Sequence, residues 1–103
     1  MEREKVAATL KMLNQMAIKE IREQNYHQAL NFFKQSLYLE ESLGLEVSMA
    51  QSFYNLASTY FLLEEYQEAK QKIKFALILF QKNDLKQDYE KALALEEKLL
   101  DLI

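Results

Sequence analysis

The chain of 103 residues has no cysteine, no proline, no tryptophan, one glycine and one histidine. Without cysteine there is no disulfide scaffold, thiolate zinc site, iron–sulfur centre or cysteine nucleophile. One histidine leaves Ser-His-Asp chemistry a single candidate base and removes histidine-rich metal sites. One glycine and no proline are too few turn residues for a β-sandwich or small barrel. A basic excess is missing as well. The net charge is −3, with acidic and basic residues interspersed, which argues against nucleic acid as a partner. The longest strictly apolar run, Phe75 to Phe80, is far too short to span a bilayer. The charged start, Met1-Glu2-Arg3-Glu4-Lys5, lacks the apolar core of a signal peptide. These absences predict a cytoplasmic protein that does not engage a membrane.

What remains is rich in Leu, Ala, Glu, Lys, Gln and Met, the strong helix formers. Six Tyr and six Phe argue against disorder. The only breaks are Gln24-Asn25, Gly44, Glu64-Glu65 and Asn83-Asp84, spaced by 19 or 20 residues. They predict one all-α domain over 1–103, with five helices at about 2–23, 26–42, 46–63, 66–82 and 86–102. Links of two or three residues require antiparallel neighbours. Gly44 is expected to close helix 2 in the left-handed conformation. Asn25 with Gln28, and Asp84 with Gln87, have the spacing of N-terminal caps.

Helix 2 carries an apolar stripe of Tyr26, Ala29, Leu30, Phe33 and Leu37. Helix 4 carries Tyr66, Ala69, Ile73, Ala76, Leu77 and Phe80. Helix 3 is apolar over most of its circumference, which predicts burial on several sides.

Shifting the chain by 40 residues aligns Ala17 with Ala57, Tyr26 with Tyr66, Ala29 with Ala69 and Lys34 with Lys74. It also aligns Leu37 with Leu77, Leu39 with Leu79 and Leu45 with Leu85, seven identities between 10–49 and 50–89. Leu13 pairs with Phe53, Met16 with Leu56, Phe33 with Ile73 and Ser36 with Ala76. Two repeats, about 10–49 and 50–89, then leave a capping helix at about 86–102. The small residues Ala17, Ala29, Ala57 and Ala69 fit places where helix backbones come close.

The stretch Phe53-Tyr54-Asn55-Leu56-Ala57-Ser58-Thr59-Tyr60, followed by Glu65-Tyr66-Gln67-Glu68-Ala69, Ile73 and Ala76-Leu77, resembles a tetratricopeptide repeat. Residues 10–40 match less fully, with Glu20 in the aromatic place of Tyr60. The 40-residue step and the lack of proline resemble the longer-period members of that family. The resemblance implies a solenoid of antiparallel helix pairs whose first helices line a concave groove for a peptide or an amphipathic helix. Carried over by position, the lining is Lys11, Asn14, Ile18, Ile21 and Arg22. It continues with Gln51, Tyr54, Asn55, Ser58, Phe61 and Leu62, then Lys91, Ala94, Leu95 and Lys98. Some family members clamp a peptide carboxylate. Of the matching places, Asn14, Ile18, Asn55, Lys91 and Leu95, only Asn55 and Lys91 have suitable side chains, so carboxylate clamping is not expected. Packing of Phe61 and Leu62 against helices 1 and 5 is the competing use of those two residues.

The expected function is therefore non-catalytic protein or peptide binding, with no cofactor and no metal. The alternatives are a self-associating assembly protein and a regulatory fragment of a larger signalling protein. His27, at the start of helix 2, has no nucleophile motif beside it and reads as a solvated histidine. Glu64-Glu65 and Glu96-Glu97 are adjacent along a helix or turn and do not converge on a metal. Lys70, Lys72, Lys74, Lys82 and Lys86 read as an outer face, with Glu68 paired to Lys72. On helix 5, Leu93 and Leu100 match core places and are expected to face helix 4. Leu95, Leu99 and Leu102, ahead of Ile103, would form a second, wet stripe suited to a homodimer.

Overall fold

The computed structural model describes residues 2–102, so Met1 and Ile103 lie outside the described residues. Five helices follow one another: α1 (Glu2–Arg22), α2 (Tyr26–Leu43), α3 (Glu46–Leu62), α4 (Tyr66–Lys82) and α5 (Lys86–Leu102). Their bounds lie within one residue of the expected ones. The described residues contain no strand.

All four turns use the same closure. Gln24, Gly44, Glu64 and Asp84 are left-handed, with φ of 63°, 68°, 60° and 57°. The next residue in each case bonds back across the turn. Asn25 N–H donates to the Glu20 carbonyl at 2.8 Å, Leu45 to Glu40 at 3.0 Å, Glu65 to Tyr60 at 2.9 Å and Leu85 to Phe80 at 2.9 Å. These bonds satisfy carbonyls that a helix end would otherwise leave free.

This geometry corrects the expected caps. Asn25 precedes α2 at ψ 68° and makes no side-chain cap bond. Its backbone follows directly from the left-handed residue and does not reach the extended values that a capping side chain uses. Asp84 is itself the left-handed residue closing α4, so it does not cap α5.

Contacts within the α3–α4 hairpin step inward from both ends in antiparallel register. Lys82 Nζ is 2.8 Å from Glu46 Oε2. Phe75 stacks on Phe53 with ring centroids 5.1 Å apart, and Tyr66 meets Phe61 at 5.8 Å beside the turn. Ala17, Ala29, Ala57 and Ala69 are fully buried, as close backbone approach requires. The repeat is visible in what the second helices bury. Ala29, Phe33, Ser36, Leu37 and Glu40 of α2 have buried counterparts Ala69, Ile73, Ala76, Leu77 and Phe80 in α4. The chain is thus a run of antiparallel helix hairpins with a fifth helix packed on α4.

The register of α5 differs from expectation. Leu99 is 0 % exposed and Leu100 is 55 % exposed. The explanation lies in the two faces of α3. Ser52 lies toward α2, where it bonds Glu40, and Thr59, two turns on, is buried on the same stripe. Forty residues later Ala92 and Leu99 present that same face to α4, and both are buried. Phe53 and Tyr60 lie one position further round the helix, where they reach the following helix, Tyr60 while also bordering α2. Phe53 stacks on Phe75 of α4, and Tyr60 has Lys34 of α2 at 5.8 Å and Lys72 of α4 at 5.9 Å. Their counterparts Leu93 and Leu100 have no following helix among the described residues. Leu93 is therefore half-buried and Leu100 exposed.

Candidate functional site

The stacking gives the molecule two unlike sides. Apart from neighbours in sequence, α3 also touches α5, and no contact of comparable size joins α1 to α3 or α2 to α4. At the C-terminal end of the array the first helices α3 and α5 therefore meet directly.

Several of the expected lining residues meet there. Gln51, Tyr54 and Asn55 of α3 and Lys91 of α5 line one cleft of about 220 Å³, together with Phe80 and Asp88. Lys91 Nζ lies 4.9 Å from the centre of the Tyr54 ring, a cation–π geometry that holds a charge over an aromatic wall. Asp88 and Phe80 are additions that the repeat alignment did not supply. Asp88 precedes Lys91 by three residues and so shares its helix face. Phe80 ends the core stripe of α4 and lines the cleft from there.

The remaining lining residues are spread along the same helices. Ile18, Arg22, Leu62 and Lys98 are exposed, and Lys11 and Ala94 are exposed as well. Asn14, Ile21, Ser58 and Phe61 are half-buried. The Asn14 Oδ1 is buried without a hydrogen-bond partner among the described residues. Phe61 packs on Tyr66 of its own hairpin.

Of the stripe expected on α5, Leu95 is half-buried and Leu102 exposed, while Leu99 belongs to the core. The three leucines therefore do not form one wet surface. A second depression, of about 560 Å³, lies over Val6, Leu10, Leu43 and Leu45 between the start of α1 and the α2–α3 turn. No sequence motif marks it.

The titratable groups are mostly on the outside. His27 is exposed, and Lys72 Nζ lies 3.8 Å from Glu68 Oε2. Among the carboxylates of the described residues Glu40 is the exception, being only 2 % exposed. Burial pushes its carboxyl up to about 7, the hydrogen bond from Ser52 pulls it partly back, and neighbouring Glu41 raises it. Among the described residues no group of three or more His, Cys, Asp or Glu is placed to hold a metal ion. No helix there is long and apolar enough to cross a membrane.

No protein-family model matches the chain, and no curated protein matches it.

Proposed function

We propose that the chain is a tetratricopeptide-type interaction module of the cytoplasm, which binds a peptide or helical segment of another protein and performs no chemistry. The observation that carries this reading is the shared cleft of Gln51, Tyr54, Asn55 and Lys91 between α3 and α5. It combines an aromatic wall, amide groups able to bond a peptide backbone, and a cation. A mainly preformed surface with a few convergent polar groups suits recognition, because little ordering is left to be done on binding. Binding would bury the wet parts of Tyr54 and Leu62, with the polar rim setting orientation.

The test is selection of binders from a displayed random peptide library, followed by mapping through amide chemical shifts. Selected peptides should perturb Tyr54, Asn55 and Lys91, and Tyr54→Ala should weaken them by about tenfold or more. Peptides that map instead to the outer faces of α2 and α4 would refute the reading.

A further inference from the structure

The two ends of the array expose faces that its interior buries. Met12, Met16 and Lys19 of α1 occupy the repeat positions of Ser52, Leu56 and Thr59 in α3. Those three α3 residues are at most 2 % exposed, and Ser52 is bonded to Glu40 of the preceding helix. No helix precedes α1 among the described residues. Met12 is 52 % and Met16 39 % exposed, and Lys5 and Lys19 are exposed beside them. Lys5, Met12, Met16 and Lys19 follow at steps of seven, four and three, which places them on one stripe of the helix.

At the other end, Leu93 and Leu100 occupy the positions of Phe53 and Tyr60, which reach the following helix. No helix follows α5 among the described residues. Glu96 and Glu97 lie between the two leucines at steps of three and four, so the four residues share one side of α5. Leu100 and Glu97 are exposed, and Leu93 and Glu96 are half-buried.

The charges of the two faces are opposite. The α1 stripe holds Lys5 and Lys19 and runs on to Glu23 beyond the helix. The α5 side holds Lys86, Glu90, Glu96 and Glu97. Over the whole helices, α1 has five basic and three acidic residues, net +2, and α5 has three basic and five acidic, net −2. None of these groups is in a salt bridge among the described residues, where the pairs are Lys72–Glu68 and Lys82–Glu46. Within one chain the two faces do not meet, since α1 packs on α2 and α5 on α4. Between two copies, α1 against α1 or α5 against α5 sets like charges together, whereas α1 against α5 sets opposite charges together.

We infer that the α5 face of one copy docks on the α1 stripe of a second copy, head to tail. Leu93 and Leu100 cover Met12 and Met16, while Glu96 and Glu97 face Lys5 and Lys19. The contact is heterologous, so each pair keeps one free end of each kind and longer chains grow with concentration. It leaves the cleft between α3 and α5 open and is independent of the peptide reading above.

Sedimentation equilibrium from about 10 µM to about 1 mM protein tests it. At about 50 mM salt the average mass should rise with concentration, with a Kd on the order of 100 µM for so small a contact. At about 300 mM salt the association should weaken by about fivefold or more. Met12→Glu blocks the α1 end and Leu100→Lys the α5 end. Both positions are exposed, and an unchanged helical signal checks the fold. Each variant alone should stay monomeric. Their equimolar mixture should form dimers and nothing larger, because one brings an intact α5 face and the other an intact α1 stripe. If either variant loses helical signal, Lys19→Glu or Glu97→Lys takes its place, both being exposed. A parent chain still monomeric at the highest concentration, self-association that survives either variant, or a mixture that stays monomeric overturns the inference.

Discussion

Ser52 donates a 2.6 Å hydrogen bond to Glu40 at the contact between α2 and α3, and each residue is only 2 % exposed. One repeat later the same two positions are Phe80 and Ala92, also buried. One junction of the array is therefore closed by a carboxyl and a hydroxyl, and the next by an aromatic ring and a methyl group. Glu40 has no cation partner among the described residues. Ser36, one turn before it, is buried with its hydroxyl unpartnered. The first junction holds polar groups that the second has replaced by apolar ones.

Stability should fall as pH rises through the range 4.5 to about 7. The Glu40 carboxyl is raised from 4.5 to about 7 in the folded chain, chiefly by burial. The folded state then binds a proton more tightly than the unfolded state, so the slope of unfolding free energy against pH is negative in that window. Below 4.5 both states are protonated and there is no penalty. Above 7 both are ionised and the full penalty applies, up to about 3 kcal/mol at 1.36 kcal/mol per pKa unit. Glu46 acts in the opposite sense and in a lower window. Lys82 holds it below its ordinary value, so its contribution is present above 4.5 and lost as pH falls through its folded value. Urea unfolding at pH 5 and pH 7.5 measures the slope, which Glu40→Gln should abolish. A parent chain with equal stability at both values would mean that Glu40 is not desolvated.

Moving the second junction's chemistry into the first should stabilise the chain. The double change Glu40→Phe with Ser52→Ala copies Phe80 and Ala92. It replaces a desolvated carboxyl by apolar packing, a substitution worth about 1–4 kcal/mol for buried charged groups. Ser52→Ala alone should do the reverse, costing about 1–3 kcal/mol by leaving the carboxyl without its donor. Thermal unfolding of the three proteins at pH 7.5 should rank the double variant above the parent and the single variant below it.

The left-handed turn residues offer a backbone test. Gly44 takes φ 68° without strain, whereas Gln24, Glu64 and Asp84 adopt similar angles with a Cβ present. Glu64→Gly should therefore stabilise by up to about 1 kcal/mol, the relief exceeding the added freedom of the unfolded chain. Gly44→Ala should cost about 1 kcal/mol, even though an added Cβ meets nothing within 4 Å, because the cost is torsional. A neutral Gly44→Ala would show that the turn has rearranged.

The alignment at close-packed alanines can be tested through Ala69, which is fully buried near the start of α4. Ala69→Leu should destabilise by about 1–3 kcal/mol through overpacking. Chemical denaturation with an unchanged slope would locate the effect in the folded state.

Much of this fold is legible in the sequence because helix ends recur every 20 residues and each end needs a residue able to turn left. Gln24, Gly44, Glu64 and Asp84 reveal that rhythm even though only one is glycine. The alanine places are legible for a related reason: a small residue repeated at a fixed step needs a close backbone approach to explain it. The caps are less legible, since Asn25 and Asp84 suit both a cap and a left-handed turn. The cleft is legible in part. Tyr54, Asn55 and Lys91 follow from the family resemblance carried over by position, but Phe80, a core residue of α4, joins them only in the folded chain.

The register of α5 supplies the sharpest discrimination. Leucines occur at 93, 95, 99, 100 and 102, and periodicity alone allows either Leu99 or Leu100 to face the core. Matching to Phe53 and Tyr60 favours Leu93 and Leu100, but those places serve a helix that follows. A last helix keeps only the face directed backward, the one marked by Ser52 and Thr59 in α3, and this selects Ala92 and Leu99. Leu99→Ala should therefore cost about 2–5 kcal/mol, the range for truncating a buried leucine. Leu100→Ala, at 55 % exposure, should stay within about 0.5 kcal/mol of the parent. Urea midpoints of the two variants decide between the registers. If Leu100→Ala proves the costlier change, α5 is rotated by one residue from the arrangement described, and Leu99 joins Leu102 on the wet side of the helix.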